Sequence, residues 1–162
     1  MNNIILIGFM GSGKTSVAIE IASKTDYLAV DTDKLVEEKC RLTIPQIFKY
    51  FGEEYFRKSE QKIAVELLTY PFPLVIATGG GLPCYRGSYE ILKRLGKIFF
   101  LKNSKNILLK RILNDSNRPL RLVNNLFEKR QHFYETASDY VISCDFKSTI
   151  EIAEEILLLK NY

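Results

Sequence analysis

Histidine and cysteine are scarce in this chain. It has one histidine, His132, and three cysteines, Cys40, Cys84 and Cys144, far apart and odd in number. Without a CxxC pair or a Cys/His cluster, neither a disulfide framework nor a structural zinc site has a basis. Long hydrophobic runs are missing too. The apolar Ile4-Ile5-Leu6-Ile7 has no basic stretch before it and a glycine turn straight after. It is too short for a signal core or a spanning helix and reads as a buried strand, with a cytoplasmic protein and no membrane partner as the expectation. No block of five or more Lys/Arg occurs, and no basic stripe is interleaved with aromatics, so the net charge of +4 does not indicate nucleic acid. Nor is there a Pro/Gly/Ser linker, an internal repeat or a low-complexity segment. Residues 1–162 are therefore expected to form one domain.

What is present is an ordinary globular composition, 46% hydrophobic and 26% charged over 162 residues, enough for one well-buried core. Short apolar runs recur at Ile4–Ile7, Tyr27–Val30, Leu74–Ala77, Lys97–Leu101 and Tyr140–Ser143, the pattern of strands buried on both faces. Helical spacing separates them: Val17 to Ile21, Leu35-Val36, Ile47-Phe48, Ile63 to Leu68, Ile107 to Ile112, Phe127 to Ala137 and Ile152 to Leu159. Alternating strands and helices predict a doubly wound α/β fold with helices on both faces. Two segments interrupt it. One, about 33–62, would hold the acceptor; the other, about 114–125, is polar and Arg-bearing and would form a short lid.

The chemistry starts at Gly8-Phe9-Met10-Gly11-Ser12-Gly13-Lys14-Thr15. The segment follows an apolar strand and opens a helix, the context a P-loop requires. Glycines let backbone N–H groups converge on phosphate oxygens, and the helix N-terminus adds partial positive charge. Lys14 would reach the β- and γ-phosphates of ATP, and the Thr15 hydroxyl would ligate Mg²⁺. This loop is silent on the acceptor.

Four downstream features address it. Asp31-Thr32-Asp33 ends the second strand, at the carboxyl edge where ligands bind. Asp31 is expected beside the metal. Asp33 either takes the proton of an acceptor hydroxyl or only caps the helix after it. Phe56-Arg57-x-x-Glu60 sets Arg57 and Glu60 on one helix face, as a surface ion pair or as an arginine fork aimed at a carboxylate. Thr78-Gly79-Gly80-Gly81 is either a loose turn or space for a ligand against bare backbone. The third strand carries no metal-binding Asp, a place Asp31 could take. Arg118-Pro119-Leu120 lies in the polar segment, and Arg130 in the helix beyond it.

Taken as a set, in this order and across nearly the whole chain, these motifs resemble the shikimate kinase family. The resemblance implies a three-layer P-loop NTPase fold with a five-stranded parallel sheet in the order 2-3-1-4-5. It implies ATP-dependent, Mg²⁺-dependent phosphorylation of the 3-hydroxyl of shikimate by a monomer. Gly11, Ser12, Gly13, Lys14, Thr15 and Ser16 would then hold ATP, with Arg111 near the adenine and Arg118 over the phosphates. Lys14, Asp33 and Arg118 would be catalytic, and Thr15 and Asp31 would serve the metal. Arg57 and Arg130 would take the shikimate carboxylate, and Asp33 with the backbone of Gly79, Gly80 and Gly81 its hydroxyls. One departure is that eleven residues separate Arg118 from Arg130, so the lid is short for the family. The rivals are a small P-loop kinase acting on gluconate or a nucleoside monophosphate, and a silent relative that only binds ATP or shikimate.

Overall fold

The computed structural model describes residues 3–115 and 120–161. Its strands are β1 (Asn3–Ile7), β2 (Leu28–Asp31), β3 (Leu74–Ala77), β4 (Gly96–Lys102) and β5 (Tyr140–Ser143). They form one parallel sheet in the order β2-β3-β1-β4-β5, as expected. Its helices are α1 (Lys14–Ser23), α2 (Thr32–Cys40), α3 (Ile44–Leu67), α4 (Ser88–Leu95), α5 (Lys105–Asp115), α6 (Leu120–Ala137) and α7 (Thr149–Lys160).

The period-2 geometry of β1 splits its run between two cores. Ile5 and Ile7 face Val36, Phe56, Ile63, Leu92, Leu108 and Tyr134, so α2 to α6 cover that face. Ile4 and Leu6 face Val17, Ile21, Ile152 and Ile156, so α1 and α7 cover the other. All five β1 residues are buried, which accounts for the continuous apolar run. The two edge strands depart from the expectation of burial on both faces. Leu28 of β2 and Val141 of β5 are exposed, because each edge strand has a partner on one side only and a partly open face. Asn3 is buried and ties β1 to its neighbours, donating to Leu95 O at 3.0 Å and accepting from Leu74 N at 2.9 Å.

The segment expected to hold an acceptor is α2 and most of α3. The latter breaks at Gly52 (φ 79°, ψ 173°), which is why the sequence shows two separate helical patches there. The expected lid is less irregular than its composition suggests: α5 runs to Asp115 and α6 starts at Leu120. Arg118 lies outside the described residues. α4 was not expected; it is short, and its buried Leu92 and Leu95 give a single turn of apolar signal. No helix among the described residues is long and apolar enough to cross a membrane.

Candidate active site

β1, β2 and β3 all end at the same edge of the sheet, and the residues just beyond them converge. After β1 the P-loop turns into α1 through Gly13 (φ 89°), and no side chain caps that helix. Its first-turn N–H groups are therefore available to an anion. Lys14 Nζ donates to Gly8 O at 2.8 Å, Phe9 O at 2.9 Å and Ser12 Oγ at 3.2 Å. Burial holds the Lys14 ammonium down at about 8 despite the neighbouring Asp33 and Asp31. Arg111 Nη1 donates to Gly11 O at 2.9 Å, so it lies against the P-loop from α5. Gly11, Gly13, Lys14, Thr15, Ser16 and Arg111 line one side of a cleft of about 460 Å³; Asp31, Asp33, Thr78 and Gly80 line the other.

At the end of β2 the two acids have divided roles. Asp31 Oδ1 accepts from Asp33 N at 3.0 Å and Lys34 N at 3.4 Å, so it is Asp31 that caps α2. The capping role considered for Asp33 is thereby corrected: Asp33 sits inside the first turn, where its side chain is free for other work. Asp31 Oδ2 accepts from Thr15 Oγ1 at 2.6 Å. Asp31 is paired in register with Ala77 at the end of β3, so an acid on β2 stands beside the position where β3 has none. Burial is the main cause that pushes the Asp33 carboxyl up, with Asp31 adding to it and Lys14 opposing.

A second cleft, of about 310 Å³, is lined by Glu53, Arg57, Gly81, Cys84, Tyr85 and Arg130. Arg57 Nη1 donates to Glu60 Oε2 at 2.5 Å, while Nη2 and Nε reach Glu53 Oε1 at 3.2 Å and 3.3 Å. Glu60 is fully buried, so the surface ion-pair alternative fails for this half of the contact. Burial pushes the Glu60 carboxyl up to about 7, against the pull of Arg57.

The glycine triplet separates the two clefts and makes room for these side chains. A Cβ on Gly79 would sit 2.0 Å from Glu60 Oε1 and 2.3 Å from Asp33 Oδ1, and one on Gly81 would sit 2.2 Å from Arg57 Cζ. A side chain at either position would displace Glu60 and Asp33 or Arg57 from where they sit, so the bare backbone here is space that those groups occupy and not a loose turn. Gly79 N is held by Thr32 Oγ1 at 2.9 Å. Gly80 O accepts from the hydroxyl of Tyr134, a fully buried residue that sequence reasoning missed. Its signal was available: Tyr134 stands four residues after Arg130 on α6, one helical turn along the same face. Arg130 lies close to Gly80, with Nη1 3.7 Å from where a Cβ would be.

The described residues thus bring together the P-loop, Asp31, Asp33, Arg57, Glu60, the triplet, Arg111 and Arg130, in two clefts that meet at Gly79-Gly80-Gly81. One cleft offers N–H groups and an ammonium to phosphates. The other offers two guanidiniums to a small anion.

Comparison with known proteins gives this arrangement a family. A family model described as shikimate kinase matches residues 10–160. The shikimate kinase of Sulfurihydrogenibium sp. (strain YO3AOP1) is 41% identical over 97% of this chain and 96% of its own length. Among solved structures, a shikimate kinase from Acinetobacter baumannii in complex with shikimate superposes with a TM-score of 0.90 at 33% identity, over 98% of this chain and 92% of that one. The shikimate kinase from Aquifex aeolicus gives 0.86 at 34% identity, over 96% and 94%. The chain belongs to the shikimate kinase family.

Proposed function

We propose that this chain transfers the γ-phosphoryl group of ATP to the 3-hydroxyl of shikimate, giving shikimate 3-phosphate and ADP. The observation that carries the reading is the pair of clefts meeting at the glycine triplet, one built for phosphates and one with Arg57 and Arg130 at its wall. Shikimate is a small carboxylate bearing hydroxyls. Arg57 and Arg130 fit its carboxylate, and Asp33, reaching the shared boundary from α2, fits the hydroxyl to be phosphorylated. The carboxyl of Asp33 orients that hydroxyl and accepts its proton as the P–O bond forms. The backbone of Gly79, Gly80 and Gly81 closes against the other hydroxyls.

On the donor side, Gly11, Ser12, Gly13, Lys14, Thr15 and Ser16 hold the phosphates, Lys14 neutralises charge on the transferring group, and Arg111 flanks the nucleotide beside the P-loop. Arg118 is assigned to the phosphates from its place in the motif. The residues present fit Mg²⁺. The Thr15 hydroxyl donates a hydrogen bond to Asp31, which leaves its oxygen lone pairs for a hard cation and places a carboxylate behind it. Held by Thr15, with Asp31 behind it, Mg²⁺ would supply charge neutralisation to the nucleotide phosphates. No cluster of three or more His, Cys, Asp or Glu that could hold a metal occurs among the described residues. That agrees with a cation held largely by nucleotide and water rather than by an all-protein cage. A cytoplasmic monomer is the form proposed for the chain.

The test is ADP release by the purified protein with shikimate, gluconate and AMP in turn, with the phosphorylated position of the product identified. Turnover with shikimate and transfer to its 3-hydroxyl are expected. Preference for gluconate or AMP would overturn the acceptor, and binding of both ligands without ADP release would make the chain a silent relative.

A further inference from the structure

The two oxygens of Glu60 are in different situations. Oε2 accepts from Arg57, whereas Oε1 is buried and has no hydrogen-bond donor among the described residues. Asp33 Oδ1 is likewise buried without a donor. The two carboxyls lie within hydrogen-bonding reach of each other, and the orphaned oxygens crowd the same point beside Gly79. Two carboxylate oxygens buried in contact are costly to keep without a proton, because each lacks its water and each repels the other, and only Lys14 and Arg57 offset the charge. A single proton between them turns that repulsion into a charge-assisted hydrogen bond.

The surroundings say which carboxyl carries it. Asp33 has the Lys14 ammonium of α1 beside it as well as Arg57, with Asp31 at the start of α2 opposing. Glu60 has Arg57 as its cation, and Arg57 is already shared with Glu53 on α3. From the far side Arg130 of α6 faces Arg57 across the acceptor cleft, with Cys84 and Tyr134 near it. Proton affinity in the physiological range therefore belongs to Glu60, and burial places it at about 7. An acceptor carboxylate arriving at Arg57 adds negative charge next to Glu60 and takes up part of the guanidinium that neutralises it.

We propose that Glu60 takes up a proton from solvent when the acceptor's carboxylate pairs with Arg57, and that neutral Glu60 then donates from Oε1 to Asp33 Oδ1, fixing the ionised Asp33 for the acceptor hydroxyl. Glu60 is thus a positioning residue that links the carboxylate clamp to the group that takes the proton. The inference rests on the reading of Arg57 as that clamp.

The test is calorimetry of shikimate binding, without nucleotide, in two buffers of different ionisation enthalpy. At about pH 7.5 the wild-type chain should take up as much as about three-quarters of a proton, and at about pH 5.5, where Glu60 is already neutral, almost none. Glu60→Gln keeps an acceptor for Arg57 and a donor for Asp33, so it should bind with no uptake at either pH. Its shikimate Kd should stay flat where the wild type weakens by up to about tenfold per pH unit above neutrality. Lys14 is common to both proteins, so the difference between them reports Glu60. Buffer-independent heats in the wild type overturn the inference, as does uptake that persists in Glu60→Gln. Should that variant not fold, the wild-type pair of pH values decides alone. Shikimate that does not bind at all removes the acceptor reading, and this inference with it; binding without proton uptake removes only the inference.

Discussion

At the scale of the residue, the site is a set of charges held away from water and steadied by one another. Lys14 is the cation of the donor cleft, and burial lowers its proton affinity to about 8. Its charge is then lost as pH rises through 8, well below the range of an exposed lysine. We expect kcat/KM for ATP, which reports the free enzyme, to fall by about tenfold per pH unit above that point; a profile flat to about pH 9.5 would clear Lys14 of the role. Asp33 makes a different prediction because Asp31 does the capping. Asp33→Asn should keep the thermal transition and ATP binding while kcat drops on the order of 10²-fold, the size of a lost acid–base group. Near-normal turnover would leave Asp33 no part in the transfer. Arg57→Ala removes a guanidinium from the acceptor cleft and strands Glu60, so the shikimate KM should rise on the order of 10²-fold with the ATP KM little changed. Equal effects on both would place Arg57 outside the acceptor pocket. The identities of these residues were legible in the sequence because each belongs to a short motif with fixed spacing. Their division of labour was not. Asp31 and Asp33 are two positions apart, and which one caps depends on the backbone angle at the end of β2, which no residue type there dictates. The full burial of Glu60 was equally hidden, since it depends on Gly79, just past the end of β3, leaving room for it.

At the scale of the element, α6 brackets the site. Phe127 meets Phe9 of the P-loop edge-on at 5.5 Å between centroids, and seven residues along the helix the Tyr134 hydroxyl holds Gly80 O. Between them Arg130 is presented to the acceptor cleft. One helix therefore sets the distance between the P-loop, the glycine triplet and Arg130. Tyr134→Phe deletes only the hydroxyl, which leaves the half-buried Gly80 carbonyl short of its donor and Arg130 short of a hydrogen-bond partner. It should raise the shikimate KM several-fold, about 1–2 kcal/mol of lost positioning, with a smaller change in the ATP KM and the ring packing on Phe100 intact. A uniform loss in both KM values, or none, would show that Gly80 does not need this anchor. The strands and the longer helices could be read from periodicity because their apolar faces repeat over several turns. α4 could not: a helix of eight residues offers two buried leucines, less than the period needs to declare itself. The broken α3 misled in the opposite sense, because Gly52 interrupts the pattern while the chain continues as helix on both sides.

At the scale of the whole molecule, the fold and the site make opposite demands on stability. The sheet is covered on both faces by apolar clusters, while its carboxyl edge carries buried ionisable groups that would be better solvated in the unfolded chain. The pH windows follow from the directions of the shifts. Glu60 has its proton affinity raised from 4.5 to about 7, so its favourable contribution is complete below 4.5 and is lost as pH rises to 7. Lys14 has its affinity lowered from 10.5 to about 8, so its contribution is present above 10.5 and is lost as pH falls to 8. Both costs are in full force between about 7 and 8, where the family's chemistry needs an ammonium for the phosphates, and stability is least there as far as the site is concerned. Glu60→Gln removes one of the two costs without emptying the space. Its melting temperature relative to the wild type should therefore climb between about pH 5 and pH 8, by on the order of 2 kcal/mol or roughly 4–8 °C for a domain of this size. Comparing the two proteins at each pH cancels every other titrating group that they share. A gap that stays constant across that range would mean that Glu60 keeps the same charge in the folded and unfolded chain. A gap that closes would mean that the Arg57 pair outweighs burial and holds Glu60 ionised.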